Sequence, residues 1–203
     1  MTKVKICGCR SAADIEAAAA AGADFAGMVL APQSVRFVPQ ESRSRIVEAA
    51  RSCSITLVCV LRNNPKPADP AEAERWYPGD MVQWHGDEGS EWASLDQRPA
   101  IRAVSGADGL RKHGKFPCRH LLVDHPEPGS GQTWDWAALQ SDAPEGDWFL
   151  AGGLDAENVG DAIRALNPWA VDVSTGVEAS PGEKCPQKIR EFVEAVRRSV
   201  RQA

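Results

Sequence analysis

Eight short apolar runs recur along the chain, each followed by a stretch with helical or turn punctuation, and this alternation constrains the fold more than any other feature. The runs cover residues 4–7, 25–30, 55–61, 81–84, 101–104, 120–123, 148–151 and 170–173. Strands buried on both faces read as continuous apolar segments, because helices cover a parallel sheet on either side. Between the runs lie recognisable helices. Ser11 caps a segment with Asp14 and Glu16 near its start and Gly22 as its stop. Residues 40–53 and 156–166 keep helical spacing, and Pro168 closes the latter. A last helix over 186–201 opens on Pro186, carries Ile189, Phe192, Val193, Val196 and Val200 on one stripe, and ends in arginines. Eight strands alternating with helices predict an α/β fold, a single-domain (β/α)8 TIM barrel over residues 1–203. An open doubly wound sheet, which needs fewer strands, is the alternative. With 203 residues there are only about 25 per unit, so some helices must be short; the Pro/Gly-rich segments 64–70 and 126–133 mark where.

Charge narrows the classes of partner. Against 28 acidic side chains there are 23 basic ones, a net charge of −5, with no cluster of Lys or Arg. Nucleic acid and anionic membranes are therefore excluded as expected partners, since both need grouped cations. The longest weakly apolar stretch, 15–29, contains Glu16 and Asp24 and cannot span a bilayer. The first residues leave no room for a signal-peptide core, so a cytoplasmic location is expected. The six cysteines (Cys7, Cys9, Cys53, Cys59, Cys118 and Cys185) are scattered, several inside apolar runs, and are expected to be reduced.

In a βα barrel, chemistry sits where the strands end. The residues that end the runs are Cys7-Gly8, Arg36 in the loop after the second, His85-Gly86-Asp87, Asp124, Gly152-Gly153 and Ser174-Thr175-Gly176. Gly152 and Gly153 with Asn158, followed one unit later by Ser174, Thr175 and Gly176, suggest a phosphate cradle of backbone N–H groups beside a helix N-terminus. Alone, the Gly pair would serve equally as a tight turn; the second motif favours the anion. Cys7-x-Cys9 lacks the Cys-x2-Cys spacing of zinc sites, and no metal is expected.

Several of these segments together resemble one family. They are Lys5-Ile6-Cys7-Gly8, Ala31-Pro32-Gln33-Ser34-Val35-Arg36-Phe37-Val38, Gln83-Trp84-His85-Gly86-Asp87-Glu88, Leu121-Leu122-Val123-Asp124, Leu150-Ala151-Gly152-Gly153-Leu154 with Asn158-Val159, and Val171-Asp172-Val173-Ser174-Thr175-Gly176-Val177-Glu178. In that order they are similar to the phosphoribosylanthranilate isomerases, from residue 4 to the last helix. The resemblance implies a (β/α)8 barrel that carries out the Amadori rearrangement of N-(5-phosphoribosyl)anthranilate in tryptophan biosynthesis, without cofactor or metal. It implies Cys7 as general base, Asp124 as general acid, Arg36 on the anthranilate carboxylate and His85 at the mouth. Gly152, Gly153, Ser174, Thr175 and Gly176 would hold the phosphate.

Each role has a chemical requirement and a plainer alternative. A thiol of pKa about 8.5 is only a few per cent thiolate at neutral pH, so Cys7 needs a nearby positive or N–H group. A carboxyl of ordinary pKa about 3.9 must keep its proton to act as an acid, which asks for desolvation or a neighbouring anion at Asp124. Without the resemblance, Cys7 reads as a small buried strand-end residue, Arg36 as a solvated loop arginine and His85 as a structural hydrogen-bonder. The chain departs from the family pattern in three places. Val58-Cys59-Val60-Leu61 stands for Val-Gly-Val-Phe, Pro128-Gly129-Ser130-Gly131-Gln132-Thr133 for a Gly-Gly-Thr-Gly-type stretch, and Gly182-Glu183-Lys184-Cys185 for Gly-x-Lys-Asp. A related aminoaldose isomerase of histidine biosynthesis, or a catalytically silent barrel binding a phosphorylated ligand, are the competing readings. The partner is a small phosphorylated molecule, and monomer and homodimer both fit.

Overall fold

The structure is a computed structural model that describes residues 1–113, 116–125 and 136–200. Strands and helices alternate as β1 (Lys3–Cys7), α1 (Ala12–Ala21), β2 (Phe25–Val29), α2 (Gln40–Ser52), β3 (Thr56–Leu61), α3 (Pro70–Trp76), β4 (Met81–Trp84) and α4 (Trp92–Leu95). They continue as β5 (Ala100–Ser105), α5 (Gly106–His113), β6 (His120–Asp124), α6 (Ala137–Gln140), β7 (Phe149–Leu150), α7 (Val159–Leu166) and β8 (Ala170–Val173). All eight apolar runs are strands. They pair in parallel in sequence order, and β8 returns to β1 with Lys5 beside Asp172, closing the barrel. The open-sheet alternative is thereby overturned. After β8 come a short 3-10 turn (Thr175–Val177), a small antiparallel hairpin of β9 (Glu178–Ser180) and β10 (Glu183–Lys184), and α8 (Pro186–Val200).

The helices are lean where proline and glycine accumulate. After the 64–70 segment, α3 is only 7 residues long, started by the Asp69 side chain accepting from Glu72 N and by Pro70 in the first turn. The other Pro/Gly-rich segment, 126–133, lies outside the described residues, as does the 128–133 departure. The helix expected over 156–166 begins only at Val159. Asp155 and Asn158 use their side chains on the local main chain instead: Asp155 Oδ1 accepts from Glu157 N and Asn158 N, and Asn158 Oδ1 accepts from Asp155 N. Such local bonds compete with the first helical turn. At α8, the Cys185 carbonyl accepts from Ile189 N, so Cys185 is the cap residue, and its thiol offers only a weak acceptor there.

Alternation along each strand divides the apolar residues into two layers. Val4, Ile6, Met28, Leu57, Val82, Leu150 and Val171 point outward to the helices. Phe25, Val29, Val58, Val60, Met81, Ile101, Ala103, Leu122 and Phe149 fill the barrel interior. Cys59, where the family glycine is replaced, is fully buried in the outer layer; it fits because residue 79 is a glycine, where a Cβ would stand 2.9 Å from its sulfur. No described helix is long and apolar enough to cross a membrane.

The closed end of the barrel is plugged by aromatics. Phe25 and Phe149 meet edge to face at 5.4 Å, and Trp169 stacks on His120 at 4.6 Å. His120 is buried with Nδ1 2.8 Å from Asp147 O, and burial lowers its pKa from the usual 6.5. The folded state thus prefers the neutral ring. Stability from this plug is complete above about pH 6.5 and is lost as pH falls below it, because the unfolded chain takes up the proton more readily. Urea midpoints should decline between pH 7 and pH 5, and His120→Phe should flatten that decline; an equal slope in the variant would refute the assignment.

Candidate active site

At the opposite end, the strand termini surround a cavity of about 320 Å³. The structure brings to its wall the residues to which the resemblance gives roles: Cys7, Arg36, His85 and Asp124, with Gly152, Gly153, Ser174, Thr175 and Gly176. Asn158, expected beside the Gly pair, is not on that wall. Its Nδ2 donates to Gly153 O and its Oδ1 accepts from Asp155 N, so it braces the loop instead of facing a ligand.

Cys7 ends β1, and the strand period places Lys5 on the same, inner side. Lys5 is completely buried and its Nζ lies 2.9 Å from Asp172 Oδ1 on the neighbouring β8. Room for both side chains comes from β2. A Cβ on Gly27 would stand 3.0 Å from Cys7 Sγ and 3.3 Å from Lys5 Nζ, so any larger residue would press on the thiol and the ammonium together. Burial pushes the Cys7 thiol above its ordinary pKa, opposed chiefly by the Lys5 charge beside it. Burial would lower Lys5, but Asp172 and Cys7 outweigh it and hold the ammonium above its usual value. The positive group that a catalytic thiol requires is therefore in place. Lys5, Asp172 and the fully buried Gln83 were missed as site residues. Their signal was present in the sequence, as charged and amide groups inside otherwise apolar runs, which must find partners when buried.

Asp124 ends β6, three strands from β1 around the ring. Its Oδ1 accepts from His125 N at 2.8 Å and its Oδ2 lies 3.3 Å from His85 Nε2. His85 Nδ1 is in turn 3.1 Å from Gln83 Nε2, while Gln83 Oε1 is buried with no hydrogen-bond partner. This chain sets the imidazole against the carboxyl and leaves one amide oxygen on a cavity-lining residue unused. The loop carrying His85 is held from below. Buried Arg102 donates to Gly86 O and Glu88 O, and Glu88 accepts from Gly86 N and Asn63 N.

Arg36 is not a solvated loop arginine. Its Nε and Nη2 form a two-pronged pair with Glu178 at 2.6 and 2.8 Å, and Nη2 also donates to Thr175 Oγ1. Lys184 Nζ donates to the same carboxylate at 2.8 Å and to Ser174 O at 3.0 Å. Glu178 and Lys184 lie on the β9–β10 hairpin, which was not expected, although Pro181-Gly182 with φ +85° at Gly182 is a turn signal. Burial raises the Glu178 pKa, but the bonds from Arg36 and Lys184 outweigh it and hold the carboxyl at about 2.

The cavity thus combines a buried thiol beside an ammonium, a carboxyl bonded to an imidazole, an aimed guanidinium and a glycine-lined wall. Known proteins resemble this chain in sequence and fold. A family model described as N-(5'phosphoribosyl)anthranilate (PRA) isomerase matches residues 4–195. The N-(5'-phosphoribosyl)anthranilate isomerase of Bordetella petrii is 40% identical, the match covering 98% of this chain and 96% of that protein. The crystal structure of phosphoribosyl anthranilate isomerase from Thermotoga maritima is 31% identical, with a TM-score of 0.87 over 97% of this chain and 99% of that one. A phosphoribosyl anthranilate isomerase in complex with reduced 1-(o-carboxyphenylamino)-1-deoxyribulose 5-phosphate is 29% identical, with a TM-score of 0.84 over 97% and 99% of the two chains. With a match that runs from β1 into the last helix, this chain belongs to the N-(5'-phosphoribosyl)anthranilate isomerase family.

Proposed function

We propose that this chain is a cytoplasmic enzyme of tryptophan biosynthesis. It converts N-(5-phosphoribosyl)anthranilate to 1-(2-carboxyphenylamino)-1-deoxyribulose 5-phosphate. The observation that carries this reading is the presence, on one cavity, of a thiol and a carboxyl on strands β1 and β6, each with its own polar support. The solved relative of the same fold in complex with reduced 1-(o-carboxyphenylamino)-1-deoxyribulose 5-phosphate supports this reading.

The reaction needs one proton delivered and one removed. Asp124 gives its proton to the furanose ring oxygen as the C1′–O bond breaks, leaving an open-chain iminium. Cys7, as thiolate, takes the C2′ proton, and the electron pair of that C–H bond moves to form the C1′–C2′ double bond of an enolamine. C1′ then gains a proton as the C2′ hydroxyl loses one, which yields the ketone. Lys5 favours the thiolate, and its pair with Asp172 keeps the ammonium charged inside the barrel. Gly152, Gly153, Ser174, Thr175 and Gly176 hold the phosphate, and Arg36 the carboxylate. None of this requires a cofactor.

Expression should restore growth to a tryptophan auxotroph lacking this isomerase step, and the purified protein should extinguish the substrate's anthranilate fluorescence. Binding of the reduced product with no fluorescence loss and no growth would instead identify a silent binding barrel.

A further inference from the structure

The cluster around Glu178 holds more positive charge than it neutralises. Both carboxylate oxygens are fully used: Oε1 accepts from Arg36 Nε and Lys184 Nζ, and Oε2 from Arg36 Nη2 and Gly182 N at 3.2 Å. Two cations share one anion. The side chains of Lys184 and Glu178 are only 1% and 3% exposed, whereas that of Arg36 is 19% exposed and lines the cavity. Asp172, another carboxylate on the cavity wall, is committed to Lys5. The excess positive charge therefore sits at the Arg36 guanidinium on the cavity wall, where an anionic ligand group would meet it.

The hydrogen bonds specify where that anion goes. Glu178 occupies the Nε–Nη2 edge of the guanidinium, and among the described residues Nη1 has no partner. Thr175 Oγ1 already accepts from Nη2, so its own proton is directed elsewhere. A carboxylate lying against Nη1 would receive Nη1–H and the Thr175 hydroxyl proton, two charge-assisted donors from adjacent groups. The stem of Arg36 lies across Gly8, where a Cβ would come within 2.5 Å of Arg36 Cδ. Lys184 links the arrangement to the adjoining Ser174 turn, since it donates to Ser174 O as well as to Glu178.

We propose that Glu178 and Lys184 are specificity-determining positioning residues: Glu178 aims Arg36 at a ligand carboxylate, and Lys184 ties that aim to the Ser174 turn that receives the phosphate. The inference rests on the reading above for the ligand's two ends. It is tested by binding two reduced product analogues, one with the 2-carboxyphenylamino group and one with phenylamino in its place. The wild-type protein should prefer the carboxylate by about 30-fold, the range of a hydrogen-bonded charge pair. Glu178→Gln should cut that preference below about threefold and leave the phenylamino analogue's Kd within about threefold; in turnover, KM should rise about tenfold while kcat holds within about threefold.

If Glu178→Gln does not fold, the double variant Glu178→Gln/Lys184→Met, which removes one charge of each sign, gives the same readout. A preference retained in the variants, an equal loss for both analogues, or no preference in the wild type would each overturn the proposal. Failure of the isomerase reading looks different: the preference would be present and turnover absent.

Discussion

Cys7→Ala and Asp124→Asn should each lower kcat by about 10²–10⁴-fold, the usual contribution of a positioned acid or base. The fluorescence assay at pH 7 is the measurement. Asp124→Asn is isosteric and Cys7→Ala removes a single sulfur atom from the inner apolar layer, so unfolding midpoints should stay near that of the wild type. Cys7 sits above its ordinary pKa because it is buried, and Lys5 only partly offsets this. Thiolate is then the scarce species at neutral pH, and wild-type turnover should climb with pH, up to about tenfold per unit, over the range in which the thiol is mostly protonated and Asp124 keeps the proton it must deliver. Cys7→Ala should lose that climb along with its activity. Retention of more than about a tenth of wild-type kcat in either variant would remove that residue from its role.

Lys5→Met should be the most destabilising single change in the site. It leaves Asp172 in the barrel interior with its partner gone, and breaking a buried pair this way costs about 3–5 kcal/mol. For a chain of this length the unfolding midpoint should fall by about 10 °C. The second substitution in Lys5→Met/Asp172→Leu removes the stranded charge and should restore most of the stability. Turnover should not return, because the thiol has still lost its ammonium neighbour. The comparison is Lys3, two residues earlier on the same strand. Its side chain is 41% exposed and 3.6 Å from Asp24, so Lys3→Met should cost less than about 1 kcal/mol. Equal losses at the two positions would mean that the Lys5 pair carries no special weight.

The contrast between these lysines shows what could be read from the sequence. Apolar runs identified all eight strands because burial on two faces leaves a continuous local pattern, and their ends located Cys7, Asp124 and the glycine wall. Lys5 was visible as a charge inside such a run, yet its partner is 167 residues away, and only closure of the ring brings Asp172 beside it. Glu178 was quoted within a motif, but its bond to Arg36 joins segments 142 residues apart. Asn158 went the other way. Its neighbour Gly153 suggested a ligand, whereas the short side chain found main-chain partners within five residues. Local periodicity carried the architecture, and long-range pairing among polar groups carried the details of the site.

The seam between β1 and β8 gives this pairing a temporal meaning. Lys5 is made almost at once during synthesis, whereas Asp172, Ser174, Glu178 and Lys184 emerge near the end. A chain that stops short of β8 lacks Lys5's counter-charge, Arg36's support and one wall of the cavity at the same time. Incomplete products therefore have no half-working pocket in which to hold a reactive sugar phosphate, and competence for chemistry comes only with the finished circle.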